Sequence, residues 1–142
     1  MKQRTRLLGV DYGTVRVGLA ITDEMRIIAS PLTTYERGSE HEDAEFFRRL
    51  VEREEVGRLV VGLPVHMSGD EGGKAAEARR FGAWLANVTG LPVSYWDERF
   101  TTVDAEAHLR SAGLSSQRRK ARRDRVAAQI LLQAYLEAGC PE

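Results

Sequence analysis

The chain has little sulfur chemistry and no bilayer-length apolar run. Its single cysteine, Cys140, leaves no internal disulfide and no cysteine metal cage, and suits a reducing compartment. No apolar stretch approaches the length that spans a bilayer. The opening MKQRTR leads into a strand pattern and not a signal-peptide core, so a cytoplasmic protein with no membrane partner is expected. Net charge is also missing: 21 basic residues balance 21 acidic ones. The balance is global only. Residues 36–55 are rich in acids, whereas residues 118–125 carry Arg118, Arg119, Lys120, Arg122, Arg123 and Arg125 against Asp124 alone. That block points to a polyanion partner. Internal repeats, low-complexity tracts and linkers are absent.

What remains is a chain of 142 residues, 42% hydrophobic and 30% charged, with the length and composition of one globular domain. Residues 7–11 and 17–22 read as strands joined by a tight turn, and residues 25–30 as a third strand ended by Pro31. A helix opens at Ser39 or Glu40, with Phe46, Phe47, Leu50 and Val51 on one face, and stops at Gly57. Residues 58–63, RLVVGL, have the continuous apolar character of a strand covered on both faces. A second helix carries Phe81, Trp84, Leu85 and Val88 and ends at Gly90. Residues 92–96 form a fifth strand. Thr101 and Asp104 have capping-box spacing for a helix toward Leu109. Residues 111–117 read as a connector, and a last helix covers 119–138. The expected fold class is α/β, with an antiparallel meander followed by parallel strands.

Chemistry should gather at the carboxyl ends of the parallel strands. Asp11, the loop from Gly62 to Gly73, and Asp97–Glu98 all fall there. Asp124 shares a helical stripe with Ala127, Ala128, Leu131 and Tyr135, which turns it toward the sheet. Each acid has a plainer reading. Asp11 could bond the amide of Gly13 or Thr14 in a turn. Asp124 could complement the helix dipole or pair with Arg122 or Arg125. Asp97, Glu98 and Arg99 could be a surface ion-pair cluster. Their coincidence at one sheet end favours a shared site. In the loop, glycines 62, 69, 72 and 73 leave amides open to a phosphate, with His66, Ser68 and Lys74 as further donors. It is not a P-loop, which needs Gly where Ser68 stands and Ser or Thr where Ala75 stands. An ordinary crossover loop is the alternative. His41 and His108 read as surface residues and Trp84 as core. Trp96 is open to either packing or substrate contact.

The segments GVDYGTVRVGLAITD, GLPVHMSGDEG, SYWDERFTT and DRVAAQILLQAYL resemble, in order and spacing, the four signature segments of the YqgF/RuvX family. These are bacterial relatives of the RuvC Holliday-junction resolvases. The resemblance implies a ribonuclease H-like five-stranded mixed sheet flanked by helices, and a metal-dependent nuclease. Its work would be maturing the 5′ end of 16S ribosomal RNA, with ribosomal particles among its partners, or resolving branched DNA. It also implies Asp11, Glu98 and Asp124 as catalytic ligands of Mg²⁺ or Mn²⁺, in a two-metal site of carboxylate oxygens. Asp97 is the alternative to Glu98, since adjacent strand residues face opposite ways. Gly13, Thr14, His66, Ser68, Lys74, Arg99, Arg118, Arg119, Lys120 and Arg122 are the candidate substrate contacts. The family commonly has Asn and Asp where this chain has His66 and Ser68. Either a monomer or a homodimer fits. Two other classes stand beside the nuclease. Asp11–Thr14 also resembles the first phosphate motif of the actin-like ATPases, which need two such domains. A non-catalytic RNA- or ribosome-binding module is the second.

Overall fold

The computed structural model describes residues 5–64, 72–100 and 116–141, with backbone alone at Phe100 and residues 116–121. The elements are β1 (Arg6–Asp11), β2 (Arg16–Thr22), β3 (Ala29–Glu36), α1 (Glu40–Arg53), β4 (Val56–Leu63), α2 (Gly73–Thr89), β5 (Val93–Asp97) and α3 (Ser116–Glu137). A single 3-10 turn, Glu98–Phe100, follows β5. The strands form one sheet in the order β3-β2-β1-β4-β5. β1, β2 and β3 pair antiparallel, and β1, β4 and β5 pair parallel. This is the mixed sheet the strand pattern leads one to expect.

Strand alternation sorts the apolar side chains onto two faces. Leu8 and Val10 of β1 and Leu59 and Val61 of β4 join Phe47, Leu50, Phe81 and Leu85 beneath α1 and α2. Leu7, Ala20 and Val60 take the other face with Ala128, Leu131, Leu132 and Tyr135 of α3. Each fully buried leucine contributes about 1.5–3 kcal/mol. β1 and β4 are therefore apolar on both faces, as central strands should be.

Local chemistry fixes the ends of the elements. Ser39 caps α1: its Oγ accepts from the Glu42 amide at 3.1 Å, and Glu42 Oε1 accepts from the Ser39 amide at 3.1 Å. Gly90, with φ +73°, closes α2. Boundaries differ from the sequence reading around three elements. β3 begins at Ala29, so residues 25–28 of the expected third strand are not strand, and it runs through Pro31 instead of ending there. It is an edge strand, where a missing N–H costs no ladder bond if it faces outward. Gly57 lies inside β4, and it is Glu55, at φ 56°, that turns the chain after α1. α3 starts at Ser116, so Ser116 and Gln117 are helical and not connector. The expected helix toward Leu109 lies outside the described residues.

The α3 face of the sheet is lined with glycine. A Cβ on Gly9 would stand 2.9 Å from Leu132 Cβ, and one on Gly18 would strike the backbone carbonyl of Asp124. One on Gly62 would stand 3.0 Å from Leu131 Cδ2. β1, β2 and β4 each supply one such gap, and α3 sits close over all three. Side-chain amides then tie α3 to the start of β3. Gln133 Oε1 accepts from the Ala29 amide at 2.8 Å, and Gln129 Nε2 donates to the Ala29 carbonyl at 3.2 Å. Among the described residues no helix is long and apolar enough to cross a membrane.

Candidate active site

Asp11 is the last residue of β1. Alternation places it with Leu7 and Gly9 on the α3 face, and Gly18 of β2 lies directly across from it. Parallel pairing of β4 with β5 brings the ends of those strands alongside. Glu98 opens the turn after β5, two residues beyond Trp96, whose ring also packs on the α3 side. A Cβ on Gly62 would stand 2.5 Å from Glu98 Oε1. That glycine makes room for the carboxylate.

Asp11 and Glu98 meet through a side-chain hydrogen bond. Burial pushes the Asp11 carboxyl up to about 8, and the charges of Glu98 and Asp124 push the same way. Burial raises Glu98 as well, while the Asp11 hydrogen bond opposes that rise. Both shifts favour a pair that shares one proton over a pair that carries two negative charges. Asp97 turns away from this pair. Its carboxylate takes the Arg99 guanidinium at 2.6 Å, and that contact holds it below the usual carboxylate range.

Asp124 is close enough to raise Asp11, yet its own partner is Arg16, at 2.8 Å. Neither Arg122 nor Arg125 takes that place. Among the described residues no three acids are grouped to hold a metal ion. The converging pair is Asp11 with Glu98, and Asp124 stands beside it on a counter-ion. The donor chemistry suits a hard divalent cation: two half-buried carboxyls held together, where two negative charges repel at close range.

A cavity of about 280 Å³ opens over the pair. Gly13, Thr14, Lys74 and Glu77 are on its wall. Of the expected substrate contacts, the structure thus brings Gly13, Thr14 and Lys74 to the acids and commits Arg99 to Asp97. Arg122 is half-buried in the second turn of α3. His66 and Ser68 lie outside the described residues, as do the side chains of Arg118, Arg119 and Lys120. His41 is exposed, as expected.

Arg16, Glu77 and Tyr12 are site residues that pattern reading passes over. Arg16 was legible in principle, because Arg16, Gly18 and Ala20 alternate onto the face that carries Asp11. Glu77 had no such signal. It sits one turn into α2 beside Ala78, and only the position of that helix end brings it to the cavity.

Known proteins resemble this chain in sequence and in fold. Residues 5–138 match the family model described as RuvX: Holliday junction resolvase. A Rhodopirellula baltica protein, provisionally named a pre-16S rRNA nuclease, is 48% identical over 94% of this chain and 77% of its own length. A Koribacter versatilis protein with the same provisional name is 42% identical over 93% and 86%. Among solved structures, Thermus thermophilus RuvC in complex with a Holliday junction substrate superposes with TM-score 0.58 at 16% identity, over 96% of this chain and 97% of that one. The fowlpox virus resolvase in complex with Holliday junction DNA gives 0.55 at 12%, over 96% and 99%. At such identities the structural likeness shows the fold, a ribonuclease H-like one.

Proposed function

Because the chain belongs to the RuvX family, we propose that it is a divalent-metal-dependent endonuclease acting on structured nucleic acid, with the 5′ leader of 16S ribosomal RNA precursor as its substrate. The family and its nuclease-named relatives support a hydrolase acting on phosphodiester bonds. The observation that carries the metal reading is the Asp11–Glu98 pair. Two half-buried acids that favour sharing a proton are relieved when a dication replaces it. Asp11 and Glu98 would hold Mg²⁺ or Mn²⁺, with Asp124 joining them on leaving Arg16. A metal held there would supply an activated water at neutral pH and stabilise charge on the leaving oxygen.

The rest of the site receives a backbone phosphate. α2 begins at the cavity with Gly72 as its N-cap, and among the described residues no side chain caps its first amides, which suits an anion. Lys74 adds a positive charge on the cavity wall. Gly13 and Gly62 keep that wall low. The charge of Arg118, Arg119, Lys120 and Arg122 in the sequence suits the same polyanion. The whole chain then works as one nuclease domain in the cytoplasm, as a monomer or a homodimer, on free RNA or on ribosomal particles.

Resolution of four-way DNA junctions is the second reading, favoured by the family description and by the two fold neighbours solved with junctions. One experiment separates them: cleavage of a pre-16S leader RNA and a four-way DNA junction in parallel, with Mg²⁺ or Mn²⁺. Asp11→Asn, Glu98→Gln and Asp124→Asn should each remove cleavage and keep the fold. A wild-type protein that cuts neither substrate, or an Asp11→Asn protein that cuts normally, defeats the nuclease reading.

A further inference from the structure

A second cavity, of about 430 Å³, lies beside the first. Tyr12 and Glu77 line both, so the two share a wall. Its volume falls in the usual range for small-molecule sites, ~300–1,000 Å³. The wall is built from flat groups. The Arg37 guanidinium lies 5.7 Å from the Tyr12 ring centre and 5.1 Å from that of Phe81. Phe81 and Trp84 stack at 5.5 Å with planes 27° apart.

These groups are held in place before any ligand arrives. Asp43, only 1% exposed, accepts from Arg37 Nε at 3.2 Å, Tyr35 Oη at 2.8 Å and the Gly38 amide at 2.9 Å. The Trp84 indole N–H donates to Glu40 Oε1 at 3.1 Å. Ordering the wall therefore costs a bound molecule little.

The chemistry selects the occupant. Acids Glu40, Asp43 and Glu77 offset Arg37 and Arg80 on the lining, so a phosphate gains little there. A neutral planar heterocycle gains more: it stacks on the half-exposed Trp84 indole or Arg37 guanidinium, and its edge donors and acceptors meet Glu77 and Arg80. We propose that this cavity receives one unpaired nucleobase of the nucleic acid whose backbone lies at Asp11 and Glu98. The inference rests on the nuclease reading above. Tyr12, next in sequence to Asp11, then divides a phosphate site from a base site. A base in a duplex cannot reach such a wall, so the substrate must offer a bulge, loop or single-stranded end.

The test uses Asp11→Asn protein, which binds without cutting, and RNA duplexes carrying a short bulge with 2-aminopurine at each bulge position in turn. Binding should quench one position far more than its neighbours. Adding Trp84→Leu should restore that fluorescence and weaken bulged RNA about tenfold, the size of one lost base–aromatic stack, while leaving paired duplex unchanged. Arg80→Ala, at an exposed position, should weaken bulged RNA selectively as well, and serves if Trp84→Leu misfolds. Equal quenching at all positions, or equal loss on bulged and paired RNA, overturns the base site. Failure to bind any oligonucleotide overturns the nucleic-acid reading of the whole site, and the base site with it.

Discussion

Arg16 Nε stands 2.8 Å from Asp124 Oδ2, joining the first residue of β2 to an acid 108 positions later. This ion pair occupies the third acid of the site. Its members are 36% and 25% exposed, so its own worth is about 1 kcal/mol or less. Its importance lies in charge. Arg16→Met removes a cation beside the place where a dication would sit. Mn²⁺ measured by calorimetry should then bind about five-fold tighter, the equivalent of ~1 kcal/mol. Weaker binding would mean that Arg16 positions Asp124 and does not compete for it.

The Asp11 carboxyl gives the metal-free protein a distinctive pH response. Its folded value, about 8, lies well above the ordinary 3.8. The folded state therefore binds this proton more tightly than the unfolded chain does. Stability from this group is fully present below about pH 4 and is lost as pH rises through 8. In EDTA, the melting temperature should fall between pH 5.5 and 8.5, and Asp11→Asn should flatten that fall by several degrees. A wild type and variant with parallel pH curves would contradict it. Mn²⁺ affinity should rise with pH up to about 8, approaching tenfold per unit, because the ion displaces a proton.

Two glycine substitutions should fail in different ways. Gly18→Ala drives a methyl group into the Asp124 backbone, which only a shift of α3 can relieve. It should cost about 1–3 kcal/mol in urea unfolding, as overpacking does. Gly62→Ala meets chiefly the Glu98 carboxylate, the far end of a flexible side chain, with Leu131 Cδ2 next. It should lower stability less than Gly18→Ala while cutting cleavage at least tenfold. The reverse ranking would displace Gly62 from the site.

Asp43 anchors the wall of the second cavity from beneath. Asp43→Ala leaves the Tyr35 hydroxyl, the Gly38 amide and the Arg37 guanidinium without their shared acceptor. Breaking such a buried pair costs about 3–5 kcal/mol, and part-exposed Arg37 places this case near the low end. Urea unfolding checks it, and a loss below 1 kcal/mol would show that water replaces the acceptor.

The central architecture was legible in the sequence because hydrophobicity there has one cause. Leu7 to Val10 and Leu59 to Val61 are apolar because both sheet faces are covered. Pro31 misled because its meaning depends on strand position: a terminator in a central strand, it is accommodated at the edge. Glu55 misled because nothing in its chemistry announces a left-handed backbone, and Gly57 beside it looked the better candidate. The sheet-end location of Asp11 and Glu98 followed from strand order, and the inward turn of Asp124 from helical spacing. Arg16 as partner of Asp124 did not follow, because the pairing crosses between a strand and a helix whose register is set by packing. The second cavity was illegible for the same reason. Trp84 looks like core at helical spacing, and only the junction of α1 with α2 leaves its ring half-exposed.

The glycines under α3 bear on how exactingly the acids can be placed. A helix spaced from a sheet by side chains inherits the slack of their rotamers, a few tenths of an ångström at each contact. At Gly18 the spacer is backbone against backbone, opposite Asp11 and beneath Asp124. The depth of the helix there is set by backbone against backbone, with no rotamer between. Repacking elsewhere in the core can loosen the protein considerably before it changes how far these two carboxylates stand apart.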